Sequence, residues 1–250
     1  MSDDNKLSVL GHLKELRQRL IKSVIAIAIT TVISFIFAPQ IFEILKAPAG
    51  DINLIFIEMT EMIGAYMRVS LACGLILAMP YIVYQFLMFI SPALTRKEKR
   101  SVFLIIPWIA LMFAGGVAFG YFILIPPTTK FLISFGSDIA TPQIKIGNYI
   151  SIVSRLLLGI GIVFLTPVVT TFLSRLGVIT PNWLASKRKG AVIFAFILAA
   201  IITPTWDPIN QTLVAAPLIV LYEMSIWLAK LLGKKKPETA PALASPEPEE

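Results

Sequence analysis

The sequence predicts an all-α integral membrane protein of six transmembrane helices, with both termini cytoplasmic and helices 5 and 6 short. Three observations carry that expectation. Of the 250 residues, 56% are hydrophobic and only 15% charged, and the mean hydropathy is +0.80; soluble domains carry about 25% charged residues. Long apolar runs alternate with short charged stretches, and a spanning helix needs about 20 apolar residues to cross roughly 30 Å of hydrocarbon. The basic residues gather on one set of loops, which fixes sidedness.

Taken in order, residues 1–20 contain Asp3, Asp4, Lys6, Lys14, Glu15, Arg17 and Arg19, and no small-residue cleavage site follows the first apolar run, so no cleavable signal peptide is expected. Leu7, Leu10, Leu13, Leu16 and Leu20 recur every three or four positions, which predicts a cytoplasmic amphipathic helix leading straight into the first span. Residues 21–232 hold the six-helix membrane domain. Four long runs, Ile21–Phe37, Met67–Ile90, Val102–Ile125 and Tyr149–Leu173, supply the first four helices.

Two shorter runs, Gly190–Ile202 and Ile209–Tyr222, flank the turn-rich Thr203-Pro-Thr-Trp-Asp-Pro-Ile-Asn210. The first, at about 1.5 Å per residue, reaches only roughly 20 Å; the second is interrupted by Glu223. Helices this short either thin the bilayer around them or are shielded by neighbouring protein. Pro80, Pro107, Pro167 and Pro217 fall inside spans and are expected to kink them. Residues 233–250, beyond Lys234-Lys235-Lys236, are mostly Pro, Ala and Glu and read as a disordered cytoplasmic tail.

Sidedness follows from the loops. Residues 1–22, 91–101, 174–189 and 230–250 carry 17 of the 22 Lys and Arg, whereas 39–66, 126–149 and 203–210 carry 3. That asymmetry puts both termini inside. It does so even if the last two helices form a re-entrant hairpin, because both hairpin ends would still face the cytoplasm.

Composition also excludes function classes. The single cysteine, Cys73, rules out a disulfide framework and a thiolate metal site, and the single histidine, His12, rules out a His-built zinc site. No phosphate-cradling glycine motif is present. The net charge of +7 is not organised as a basic stripe with aromatics, so no nucleic acid is expected. The expectation is a protein that is not an enzyme and has no cofactor, metal or catalytic residue.

Few carboxylates stand near the membrane. Glu15 lies four residues before Arg19, the spacing of an ordinary helix pair. Glu98 sits in the basic loop Thr95-Arg-Lys-Glu-Lys-Arg100, where solvation alone would account for it. Yet with Asp3 and Asp4 these are the only carboxylates of the first two cytoplasmic segments, among nine positive charges. A cationic peptide docking there has few other anionic partners, and arginine–carboxylate pairs are the strong, directional kind. Glu43, Asp51, Glu58 and Glu61 read as a solvated outer face. Asp207 suits an N-cap before Ile209, Gln211 falls in the first turn of the last helix, and Glu223 reaches the inner headgroups.

The run His12-Leu-Lys-Glu15-Leu-Arg17-Gln-Arg19-Leu20 resembles the N-terminal signature of the TatC family, the multispanning subunit of the twin-arginine protein translocase. The stretch Tyr84-Gln-Phe-Leu-Met-Phe89-Ile-Ser-Pro92-Ala-Leu94-Thr-Arg-Lys-Glu98-Lys-Arg100 resembles that family's first cytoplasmic loop. Ala47-Pro48, and Thr203-Pro-Thr-Trp-Asp207-Pro-Ile-Asn-Gln211-Thr, fit as well. The resemblance spans about residues 7 to 232.

It implies a receptor in a bacterial cytoplasmic membrane for paired-arginine signal peptides of folded cargo. Glu15 and Glu98 would recognise the arginines, with Arg17, Phe89 and Leu94 shaping the same patch. Pro48, Asp207 and Gln211 would serve complex assembly at the outer face. The implied partners are the single-spanning TatA and TatB subunits, other copies of the chain and membrane lipid, with transport driven by the protonmotive force. One position departs from the family: Leu165, in Phe164-Leu165-Thr166-Pro167, stands where a Glu or Gln is frequent. Two other classes compete with this reading. A small-molecule secondary transporter would show inverted repeats or a mid-membrane carboxylate; an intramembrane hydrolase is disfavoured by the single histidine.

Overall fold

In hydrocarbon no water is available to a backbone N–H or C=O, so a chain this apolar satisfies those groups within helices. A computed structural model of the chain describes residues 3–50, 54–90, 96–135, 137, 139, 141–175, 177–203 and 207–232, with side chains for all of these except 3–10, 49, 90 and 96–105. Helix α1 (Asp3–Ile36) runs 34 residues without a break, so the amphipathic segment and the first span are one rod. Helix α2 (Ala38–Lys46) follows and ends in a 3-10 turn, Ala47–Ala49. Strand β1 (Leu54–Ile55) leads to α3 (Glu61–Ile90). Helix α4 (Arg96–Phe119) continues through a π-helical stretch, Gly120–Leu124, into α5 (Ile125–Ser134). Strand β2 (Ile144–Lys145), α6 (Ile146–Phe164), α7 (Thr166–Arg175), α8 (Pro181–Ser186), α9 (Arg188–Ile202) and α10 (Pro208–Leu232) complete the described chain.

Among the described residues five helical stretches are long and apolar enough to cross a membrane: Gly11–Ile36, Glu61–Phe89, Ile106–Ser134, Ile146–Arg175 and Pro208–Leu231. Helix α9 has 15 residues, about 22 Å at 1.5 Å each, and is short as expected. The last helix is not. Glu223 was expected to interrupt it, but α10 runs 25 residues, because that carboxylate is paired with Arg188 and the helix has no reason to end there.

The third span also outruns its expected end. Pro126 and Pro127 fall in the first turn of α5, where a missing N–H is tolerated, and the π-helical stretch just before them absorbs the change in register. Helices α3, α4 and α10 pass through Pro80, Pro107 and Pro217 without interruption, whereas Pro167 follows a one-residue break at Leu165. The all-α expectation needs one small amendment: β1 and β2 pair in parallel, Leu54 with Ile144 and Ile55 with Lys145.

Close packing rests on small residues, as it does where lipid offers no hydrophobic drive between helices. Gly116 and Gly120, one turn apart on one face, let α6 approach: a Cβ on Gly116 would lie 2.7 Å from Cβ of Phe164. A Cβ on Gly161 would lie 2.7 Å from the Phe113 ring. Gly74 does the same for α1 and α3. A Cβ there would meet Thr31, lying 2.7 Å from both its backbone nitrogen and its Cα, while Thr30 Oγ1 donates to the Gly74 carbonyl at 2.8 Å. Two tyrosine hydroxyls satisfy carbonyls at the end of α2: Tyr149 donates to Leu45 at 2.6 Å and Tyr121 to Ile44 at 2.7 Å. Leu165 is buried among Leu87, Ile109, Phe113 and Phe172.

The Gly74 contact makes a prediction. Gly74→Ala forces backbone apart and is expected to cost about 1–3 kcal/mol, lowering the Tm in detergent. Gly64→Ala, on the same helix but with open space around its Cβ, should leave the Tm unchanged or slightly raised. Equal behaviour of the two variants would contradict the close approach.

Candidate functional site

Helices α1 and α3 run antiparallel, and their register can be counted from the Thr30–Gly74 hydrogen bond. Eleven residues back along α1 and eleven forward along α3 bring Arg19 opposite Gln85; fifteen bring Glu15 opposite Phe89. Equal rise on the two rods carries the register over roughly 22 Å at 1.5 Å per residue. On α1, His12, Glu15 and Arg19 share one face at spacings of three and four, and on α3 Gln85 and Phe89 are one turn apart.

These side chains meet. Glu15 Oε1 accepts from Arg19 Nε at 2.9 Å and from Nη2 at 2.6 Å, the pair expected from the spacing. Arg19 Nη1 donates to Oε1 of the buried Gln85 at 3.2 Å. The His12 ring stacks on Phe89 with centroids 4.2 Å apart and planes at 20°, and His12 Nδ1 stands 4.0 Å from Glu15 Oε2. The Glu15 side chain keeps 30% of its surface in contact with solvent. The arrangement is a partly exposed carboxylate beside an aromatic stack, chemistry suited to a guanidinium.

Of the five residues expected to bind a peptide, the structure brings Glu15 and Phe89 together through His12. Arg17 is not with them. Two positions from Glu15 it lies on another face of α1, exposed beside Leu13, Leu16, Leu20 and Ile21. Glu98 lies in the first turn of α4, with its side chain outside the described residues, and Leu94 falls outside them altogether. Sequence reasoning missed Gln85 and His12; the i, i+4 spacing of Gln85 and Phe89 was the available signal.

At the opposite ends of these helices Pro48 occupies the 3-10 turn after α2, partly buried. Asp207 caps α10 as expected: its Oδ1 accepts from Asn210 N at 2.7 Å and its Oδ2 from Asn210 Nδ2 at 3.1 Å, with Pro208 as first helical residue. Gln211 Nε2 donates to the Phe196 carbonyl at 3.0 Å, tying α10 to α9.

Glu61 is more than a solvated outer carboxylate. It accepts from Ile57 N at 3.0 Å and Gly147 N at 3.2 Å, while Arg68 donates to the Gly147 carbonyl at 3.3 Å and to Ser151 Oγ at 3.1 Å. The two residues fasten the segment before α3 to the start of α6, beside the β1–β2 pairing. Glu223 likewise faces Arg188: its Oε2 accepts from Arg188 Nη2 at 2.9 Å, and its Oε1 lies 2.8 Å from Nε in the same ion pair. Among the described residues no three His, Cys, Asp or Glu gather as a metal site would require.

Comparison with known proteins gives the family. The family model described as Sec-independent protein translocase protein (TatC) matches residues 11–217. The Sec-independent protein translocase protein TatC of Aquifex aeolicus is 45% identical over 233 residues, covering 91% of this chain and 96% of the relative. That of Carboxydothermus hydrogenoformans is 39% identical over 236 residues, covering 94% and 97%. A crystal structure of the twin arginine translocase receptor TatC superposes with a TM-score of 0.79 at 44% identity, covering 88% of this chain and 99% of that one. The chain therefore belongs to the TatC family of Sec-independent protein translocase proteins.

Proposed function

We propose that this chain is the receptor subunit of a twin-arginine translocase, which binds paired-arginine signal peptides at its cytoplasmic face and organises partner subunits for export driven by the protonmotive force. Its solved relative is itself a twin arginine translocase receptor. The observation that carries the binding site is the accessible Glu15 carboxylate beside the His12–Phe89 stack. A peptide guanidinium gains a charge-assisted fork to a carboxylate and a ring face to lie on. Lysine offers the charge without the fork. Glu98, at the start of α4, supplies the second carboxylate.

In this reading α9 is the fifth of six spans and both termini are cytoplasmic; residues 233–250, expected as a tail, lie outside the described residues. Pro48, Asp207 and Gln211 then belong to the outer face. There they order the 3-10 turn and the α9–α10 hairpin against which TatA- and TatB-type subunits and further copies assemble. The short α9 draws the bilayer thin around that hairpin and eases cargo passage.

Three results are expected. Glu15→Ala and Glu98→Ala each weaken signal-peptide binding by about tenfold, as for loss of a charge-assisted pair, while the variants still insert and fold; unchanged binding in both would remove these residues from the site. On a Cys73→Ala background, Thr205→Cys is labelled by a membrane-impermeant maleimide from outside intact cells and Lys236→Cys only after the membrane is opened; the reverse would overturn the topology. Lengthening α9 by four apolar residues sharply reduces export without loss of insertion, and full export in that variant would refute the thinning.

A further inference from the structure

Before any peptide arrives, the Glu15 carboxylate already holds a guanidinium. Two N–H donors of Arg19, on Nε and Nη2, converge on the single oxygen Oε1 at 2.9 and 2.6 Å. The third nitrogen, Nη1, is bonded to Gln85 Oε1 at 3.2 Å, and Gln85 is only 5% exposed, so Arg19 is anchored from both sides. Oε2 has His12 Nδ1 at 4.0 Å, beyond hydrogen-bond distance. An arginine that forks across a carboxylate needs both oxygens. It cannot have Oε1 while Arg19 stays.

We infer that Arg19 is a resident competitor for Glu15, and that a peptide arginine binds by displacing it in an exchange of one guanidinium for another. The inference rests on the reading of Glu15 as a peptide-arginine acceptor. The resident pair is suited to exchange. It is an i, i+4 pair with both side chains partly in solvent, the class of ion pair that holds weakly and yields to a better-placed partner. Gln85 lets Arg19 keep one hydrogen bond after release, while its other donors return to water. Arg19 also places a positive charge against the carboxylate, which lowers the attraction of Glu15 for any second cation. Competition and repulsion act in the same direction, so both set a ceiling on affinity and keep the bound peptide releasable.

The test is the dissociation constant of a synthetic paired-arginine signal peptide on the purified full-length protein in lipid nanodiscs, for the unaltered chain, Arg19→Gln, Arg19→Lys, Glu15→Gln and the double variant Arg19→Gln/Glu15→Gln. Arg19→Gln is expected to bind about threefold to fivefold tighter, from the loss of a weak pair and a nearby like charge, with Arg19→Lys in between. The gain should vanish in the double variant. Weaker or unchanged binding in Arg19→Gln, with Glu15→Gln still impaired, overturns the competitor and makes Arg19 a positioning residue. Unchanged binding in Glu15→Gln overturns the Glu15 reading itself. A second measurement needs no altered site. In protein carrying ¹⁵N-arginine, the Arg19 Nε–H resonance, assigned by its loss in Arg19→Lys, should lose its protection from water exchange when peptide is added. Retained protection at saturating peptide contradicts displacement.

Discussion

The seating of α1 on α3 is the constraint from which the arrangement around Glu15 follows. Along most of its length α1 faces outward, and what holds it is a narrow seam where Gly74 admits Thr30 and Thr31 to backbone contact. With equal rise on two antiparallel helices, the register fixed at Gly74 carries to the pairing of Arg19 with Gln85, about three turns away, and of Glu15 with Phe89, about four. A slip of one turn would carry the carboxylate past the aromatic ring. The placement of Glu15 against Phe89 therefore rests on a glycine about four turns away.

Much of this was readable in the amino-acid sequence, for physical reasons. A backbone in hydrocarbon has few options, so apolar runs of sufficient length became helices, and Asp207 before a proline became a cap. The Glu15–Arg19 pair followed from spacing alone. What was not readable depended on partners distant in the chain. Counting apolar residues ended the last helix at Tyr222, because the count sees a charge at Glu223 and cannot see Arg188 opposite it, 35 positions earlier. Glu61 looked like an ordinary solvated charge until its donor at the start of α6 was known. Gln85 carries no signal beyond being one turn from Phe89. Its value comes from the helix laid against it.

The hydrogen-bonded charged groups gather in a few places: Glu61 and Arg68 near the start of α3, Asp207 at the cap of α10, and Glu15 with Arg19 on α1. Leu165, at the position where the family resemblance implies a polar residue, packs among Leu87, Ile109, Phe113 and Phe172 at the one-residue break between α6 and α7.

The most direct test of the account is site-specific photocrosslinking from positions 15 and 98 to a signal peptide in native membranes, alongside the same peptide with its two arginines changed to lysines. Crosslinks from both positions that form with the arginine peptide and fade with the lysine peptide are the expected result, since only the guanidinium can fork onto a carboxylate. Crosslinks of equal strength with both peptides, or none with either, would contradict a guanidinium receptor at the junction of α1 and α3.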